Sequence, residues 1–289
     1  MLFANCHFHS TFSDGMYTPE QLVELAKGLG HKALILTDHD TVRGCYYLNR
    51  AARKAGLLSL MGCEFSTKNA HIVGVDFDPY TKKMSQLLEY VSAKQTTRSK
   101  WLFDRGMESG TLRPGITWQE VLDFHPHNDY FCNNQVFDAM VARGIYRYEE
   151  YPEFFKNTFG RRKDEPGRET PISNETGYYT PDAERVIDAI LDAGGVPIVA
   201  HPVGKSELAD EFLRLGAKGF ETRHPHLPEE DALFFTAYCK EHNLYQSGGT
   251  DHSSVLGGVA DRMPNQDFPP ESGYVTEEDF MKLYRRELG

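Results

Sequence analysis

Ala33-Leu34-Ile35-Leu36-Thr37-Asp38-His39-Asp40 decides the fold. Four apolar residues are too few for a helix, and polar residues bound them, which predicts a buried strand. The chemistry sits at the strand's C-terminal end. The same shape recurs along the chain. Residues 2–6 lead to His7 and His9, residues 57–61 lead to Glu64, and residues 196–200 lead to His201. Lys218-Gly219-Phe220 leads to Glu221 and His224, and Leu244-Tyr245-Gln246 leads to Gly248-Gly249-Thr250-Asp251-His252.

Helical patterns alternate with these runs. Thr18-Pro19-Glu20-Gln21 reads as an N-cap, a proline at the first helical position and a capping-box glutamine. Leu22, Leu25, Ala26 and Leu29 follow at helical spacing, and Gly30 stops the pattern. Thr180-Pro181 opens another helix that carries Val186, Ile187, Ile190 and Leu191 and closes at Gly194-Gly195. Alternating strands and helices predict a parallel α/β fold. Polar residues collected at strand C-termini are what the active rim of a β/α barrel requires.

The middle of the chain differs. Between residues 83 and 179 no strand-like run recurs. Helices are expected over 84–107, from the capping box Thr117-Trp118-Gln119-Glu120 onward, and over 135–141. A polar loop with Arg161, Arg162, Lys163 and Arg168 follows, read as solvated. The division is therefore 1–84 and 182–289 as one β/α domain, with 85–181 as a helical insertion. Excluding the insertion leaves about two thirds of the chain, thin for eight units that typically need about 250 residues. A distorted (β/α)7 barrel fits better.

Composition narrows the function. The 289 residues carry 42 acids against 31 bases, a net charge of −11, which should repel long nucleic acid. No apolar run is long enough for a membrane span, and the N-terminus lacks a signal-peptide pattern, so a cytoplasmic protein is expected. Five cysteines without C-x-x-C spacing argue against disulfides and thiolate zinc sites, and Cys6 and Cys63 read as buried apolar residues.

The strongest chemical signal is His7-Phe8-His9-Ser10-Thr11-Phe12-Ser13-Asp14-Gly15. Residues i and i+2 of a strand face one side, so His7 and His9 can grip one ion. Two histidines on the polar face of an edge strand would explain that pair alone. They do not explain Asp14, Asp38, His39, Glu64, His201, Asp251 and His252 at matching strand ends.

Together these motifs, with His71-Ile72-Val73-Gly74 and Ala200-His201-Pro202, resemble the polymerase-and-histidinol-phosphatase (PHP) family of metal-dependent phosphoesterases. The helical insertion and the approach Gly194-Gly195-x-Pro197 look like its nucleotide-phosphatase and oligoribonuclease branch. The resemblance implies two or three divalent ions. One would take His7, His9, Glu64 and Asp251, and a second would share Glu64 and add His71 and His201. A third would take Asp14, His39 and a histidine near 252. Mixed imidazole and carboxylate ligands suit Zn, Mn or Fe.

Three departures stand out. Relatives end the last motif Asp-x-His, whereas here His252 follows Asp251 directly and Ser253 takes the usual histidine's place. The insertion has Asp129-Tyr130-Phe131-Cys132-Asn133-Asn134 where relatives often carry Arg-Pro-His. Asp14 stands where the histidinol-phosphatase branch has histidine. His71 begins an apolar run instead of ending one, so only the resemblance makes it a ligand.

Among the remaining histidines, His31 and His242 read as surface residues, and His125 and His127 as solvated loop residues. His224 lies at a strand end where it either meets the substrate phosphate or does not. Asp38 and Asp40 read as carboxylates that orient histidines.

The expected reaction is hydrolysis of a phosphate monoester of a small phosphorylated metabolite, such as a nucleotide or nucleoside 3',5'-bisphosphate, through a metal-bridging hydroxide. Glu64, Asp14 and His224 are the expected catalytic residues. The alternatives are exonuclease action on short oligonucleotides, hydrolysis of a C–N or carboxylic ester bond, and a non-catalytic metal- or phosphate-binding module.

Overall fold

The deciding run forms a fully buried strand, as expected. In the computed structural model, which describes residues 3–159, 169–251 and 274–288, β1 (Ala4–Asn5), β2 (Ala33–Ile35) and β3 (Leu58–Leu60) form a parallel three-stranded sheet. A second sheet runs in the order β4 (Gly62–Ser66), β5 (His71–Val75), β6 (Val196–Ala200), β7 (Gly219–Arg223), β8 (Tyr245–Gly248).

Two features refine these expectations. First, regular strand pairing among the described residues gives sheets of three and five strands. Where the sheets meet, a few hydrogen bonds replace a ladder. Glu64 N–H donates to Asp38 O at 3.2 Å and Asp40 N–H to Glu64 O at 2.9 Å. On the other side, Cys6 N–H donates to Gly248 O at 3.1 Å and Asp251 N–H to His7 O at 2.9 Å. The crossing from β3 to β4 falls at Gly62, where a Cβ would strike the Leu36 carbonyl oxygen. Glu64 thus lies within β4 and does not follow the 57–61 run.

Second, β5 runs antiparallel to both β4 and β6. Only residues 67–70 connect β4 to β5, too few for the crossover that a parallel neighbour needs. The first residue of β5, His71, therefore lies beside Ser66 and Ala200, at the same end as the C-termini of β4 and β6.

The helices follow the caps read from the sequence. Thr18 caps α1 (Pro19–Gly28) with both capping-box hydrogen bonds to Gln21. After α2 (Arg43–Ala55) and β5 comes α3 (Lys82–Ser109), then α4 (Trp118–Phe124), whose Thr117–Glu120 capping box is complete, and α5 (Asn133–Ala142). Two short helices, α6 (Tyr151–Phe154) and α7 (Glu169–Thr176), precede α8 (Ala183–Asp192). That helix starts at Asp182 and not at Thr180. The rest alternates with strands: α9 (Ala209–Leu215), α10 (Glu229–Glu241) and α11 (Glu277–Tyr284).

Apolar burial explains how these layers hold together. The face of α8 formed by Val186, Ile187 and Ile190 packs with Ile72 of β5 and Val199 of β6. Phe220 of β7 stacks on Phe235 of α10 at 4.9 Å, and each such buried ring contributes about 1.5–3 kcal/mol. Met84, Leu87 and Val91 on the first half of α3 join that core. Leu102 and Phe103 on its second half join a separate cluster with Val121, Phe137, Tyr151, Phe154 and Ile172. Among the described residues no helix is long and apolar enough to cross a membrane. Cys6, Cys45, Cys63, Cys132 and Cys239 are all buried and in no disulfide, and Cys6 and Cys63 are buried as expected.

Candidate metal centre

Because β1, β2, β4, β6, β7 and β8 end, and β5 begins, at one rim, seven of these segments deliver side chains to one place. Glu64 is the centre. Its Oε2 lies 2.9 Å from His7 Nε2, 3.3 Å from His9 Nε2 and 3.4 Å from His39 Nδ1. Its Oε1 lies 2.7 Å from His71 Nδ1 and 2.9 Å from His201 Nε2. Asp251 Oδ1 sits 2.9 Å from His9 Nε2 and 3.5 Å from His7 Nε2. Asp14 places Oδ1 3.6 Å from His9 Nδ1 and Oδ2 3.9 Å from His39 Nε2.

The implied ligand groups are thus brought together to different extents. His7, His9, Glu64 and Asp251 each offer an atom within 4.8 Å of the others. His71 and His201 converge on the far oxygen of Glu64. Asp14 and His39 gather with His9. His252 and Ser253 lie outside the described residues, as do Arg161, Arg162, Lys163 and Arg168.

Electrostatics tie the cluster together. Burial pulls the His7 imidazolium down, but the charges of Glu221, Glu64 and Asp251 prevail and raise its pKa well above the ordinary value. His9 is raised in the same way against burial, by Asp14, Asp251 and Glu64. Burial acts to raise Glu64, yet His7, His39 and His71, with the His201 hydrogen bond, hold it well below the usual carboxylate range. Asp251 is likewise held low against burial, by His7, His224 and His9.

These donors fit divalent cations. His9 Nδ1, His39 Nδ1 and His224 Nε2 are buried without a hydrogen bond, although carboxylate oxygens lie 3.3–3.6 Å away. Buried polar atoms normally find partners, and a cation among these nitrogens and carboxylates would satisfy them. The backbone is also constrained here. Asp40, His201 and Asp251 have φ of 53°, 28° and 48°, a region that side chains other than glycine rarely occupy and that clusters at functional sites. The mouth opens on one side: His7, His9 and Glu64 side chains are fully buried, whereas His71 is 35% and His201 24% exposed.

Some sequence expectations are corrected. Among the described residues, Asp38 hydrogen-bonds no histidine. It accepts from Ser10 N–H, Ser10 Oγ and Ser13 Oγ, each at 2.7 Å, and so shapes the loop before Asp14. Asp40 accepts from Ser66 N–H at 3.0 Å and joins the two sheets. His31 is not a surface residue: it is 3% exposed under the Tyr274 ring, and burial lowers its pKa to about 4. His127 and His242 are exposed, whereas His125 is half-buried with its Nε2 3.2 Å from Gln135 O.

His224 is buried at the centre. Its Nδ1 accepts from His226 N–H at 3.1 Å, and its Nε2 lies 3.3 Å from Asp251 Oδ2.

The insertion reaches the same rim. Asn128 Nδ2 donates to Thr11 O at 2.8 Å, Asn134 Nδ2 to Asp14 O, and Gln135 Nε2 to Thr11 O and Ser13 O. Gln135 Oε1 also accepts from Cys132 N–H at 2.8 Å. Replacing Gln135 with leucine leaves buried backbone groups unpaired and should cost about 1–3 kcal/mol on chemical denaturation. Parent stability would show that this clamp is not formed.

Glu221 had no role assigned from the sequence. It is buried in β7, with Oε1 2.6 Å from His7 Nδ1 and Oε2 accepting from His201 N–H at 2.7 Å. Its signal was an acid between Phe220 and Thr222 in a strand-like run, where alternation alone does not reveal its orientation.

A buried imidazole and carboxylate cluster at the rim of an α/β fold is an arrangement suited to divalent metal ions. The PHP domain model matches residues 5–157, and the chain belongs to that family. It is 28% identical over 267 residues to a 5'-3' exoribonuclease of Haemophilus influenzae, covering 88% of this chain and 90% of that one. It is 24% identical over 278 residues to a 3',5'-nucleoside bisphosphate phosphatase of Chromobacterium violaceum, covering 91% and 92%. The fold matches a solved structure from Bifidobacterium adolescentis, of a protein thought to be a metal-dependent phosphoesterase, at a TM-score of 0.75 and 24% identity, covering 99% and 96%. The reading as a non-catalytic module is set aside.

Proposed function

We propose that the chain hydrolyses the phosphate monoester of a small phosphorylated metabolite, with nucleotides and nucleoside 3',5'-bisphosphates the favoured class. The observation that carries this reading is Glu64, whose two oxygens each face a separate group of histidines. Such a carboxylate suits two adjacent cations, and the third group of Asp14 and His39 leaves room for another. Zn, Mn or Fe would supply Lewis acidity and hydroxide at neutral pH when bound.

The protein's own residues do the rest. His7, His9, Glu64 and Asp251 would hold one ion, and Glu64, His71 and His201 another. Asp38 and the insertion amides fix the loop that presents Asp14. The half-exposed His71 and His201 mark the side from which an anion enters. Positive charge held in this small pocket attracts phosphate despite the overall charge of −11. We also read the two sheets as the halves of one distorted (β/α)7 barrel, with 85–181 inserted into it.

The C. violaceum relative supports the monoester reading. The H. influenzae relative favours a second one, stepwise removal of nucleotides from short oligonucleotides. A panel on metal-loaded protein separates them: a nucleoside 3',5'-bisphosphate, a 5'-mononucleotide, a sugar phosphate and a short 5'-phosphorylated RNA. Faster phosphate release from a monoester than nucleotide release from RNA is expected. The reverse order favours the exonuclease, and no release from any of them refutes both.

A further inference from the structure

We infer that Glu221 is a positioning residue that aligns two metal ligands at once and so couples the two cation sites. The inference rests on the proposed function above. Glu221 itself is not placed as a ligand. Oε1 meets His7 Nδ1 at 2.6 Å while His7 Nε2 faces Glu64 and Asp251. A carboxylate at Nδ1 keeps the proton there and leaves the Nε2 lone pair pointing inward. Oε2 accepts the His201 backbone N–H at 2.7 Å, and that residue has φ of 28°. A charge-assisted hydrogen bond there holds a conformation the backbone would otherwise leave.

His7 belongs to one implied ion and His201 to the other. One buried side chain therefore sets the tautomer of the first and the backbone of the second. His7, Glu221 and His224 could also be read as a cation site of their own. Against that, both Glu221 oxygens already receive N–H donors, and His224 Nδ1 faces the His226 N–H.

Glutamine is the discriminating replacement because it matches glutamate in size but accepts through one oxygen only. In E221Q the amide NH2 must face either His201 N–H, donor against donor, or His7 Nδ1, which moves the His7 proton to Nε2 and blocks that ligand. The experiment is titration of metal-free parent and E221Q with cobalt(II), read by visible absorption and by competition with a chelator. E221Q should fold with a lower thermal midpoint than the metal-free parent, bind both ions about 10–100-fold more weakly, and show an altered absorption band. Parent affinity and spectrum at both ions in E221Q overturn the inference. A parent that binds no cobalt instead refutes the proposed function. If E221Q does not fold, Glu221→Asp replaces it: two accepting oxygens are kept but withdrawn by one methylene, and weakened binding of both ions is again expected, with parent affinity overturning the inference.

Discussion

Glu64→Gln should leave a folded protein with almost no hydrolytic activity and a deficit of more than one bound metal ion. Five histidines face its carboxylate within 3.4 Å, divided between two oxygens. Glutamine keeps the size and removes the charge, so no anionic bridge remains between the two groups. Losing one preorganised electrostatic contact typically costs about 10²–10³-fold in kcat, and Glu64 serves several contacts at once, so the fall should exceed that range. Steady-state kinetics and elemental analysis of the same preparation check it. A variant with parent turnover and full metal content would remove Glu64 from the centre.

The second large effect is a crossing of stability curves with pH. In metal-free protein, His7, His9 and His201 are raised above their ordinary 6.5. Their stabilisation is complete below 6.5 and is lost as pH rises through the raised values. Glu64 and Glu221 are lowered from 4.5 and Asp251 from 3.8. Their stabilisation is complete above those ordinary values and is lost as pH falls through the lowered ones. Both sets contribute fully between about pH 4.5 and 6.5, so the metal-free protein should be most heat-stable there and weaken toward alkaline pH.

Bound cations reverse the alkaline limb, because imidazoles must shed protons to ligate. Metal-loaded protein should gain stability with rising pH, and metal binding near neutrality should release protons. Thermal midpoints of both forms across pH, and calorimetry in buffers of different ionisation enthalpy, report these. A metal-free midpoint that stays flat to alkaline pH would contradict the clustering of charges described.

Much of this centre was legible because its chemistry follows short apolar runs. His7, His9, His39, His201 and Asp251 all obey that rule, since a parallel strand delivers its next residue to one rim. His71 broke the rule for a physical reason: its strand runs the other way, so the rim receives its first residue. Glu64 was expected to follow the 57–61 run and instead lies within β4, because the chain changes sheets at Gly62 and periodicity does not record such a crossing. Glu221 and Asp38 exchanged expectations. Both are buried acids at strand ends, and only three-dimensional register shows that one reaches imidazoles while the other reaches serines. His31 carried no local sign of burial, because it is covered by Tyr274, far away in sequence. Sheet closure depends on long-range pairing that no local pattern encodes.

The reversed strand β5 also sets a length requirement. It ends at the face of the sheet opposite the rim, so the chain leaves from the wrong end to deliver Asn134 and Gln135 to the Thr11–Asp14 loop. The 28 residues of α3, at about 1.5 Å each, climb about 42 Å. The helix thus acts as a ruler. Removing one turn before Thr96, whose Oγ1 accepts from Phe131 N–H at 3.1 Å, would draw that anchor back by about 5.4 Å, more than a hydrogen bond can span, and would pull on the clamp without touching any ligand.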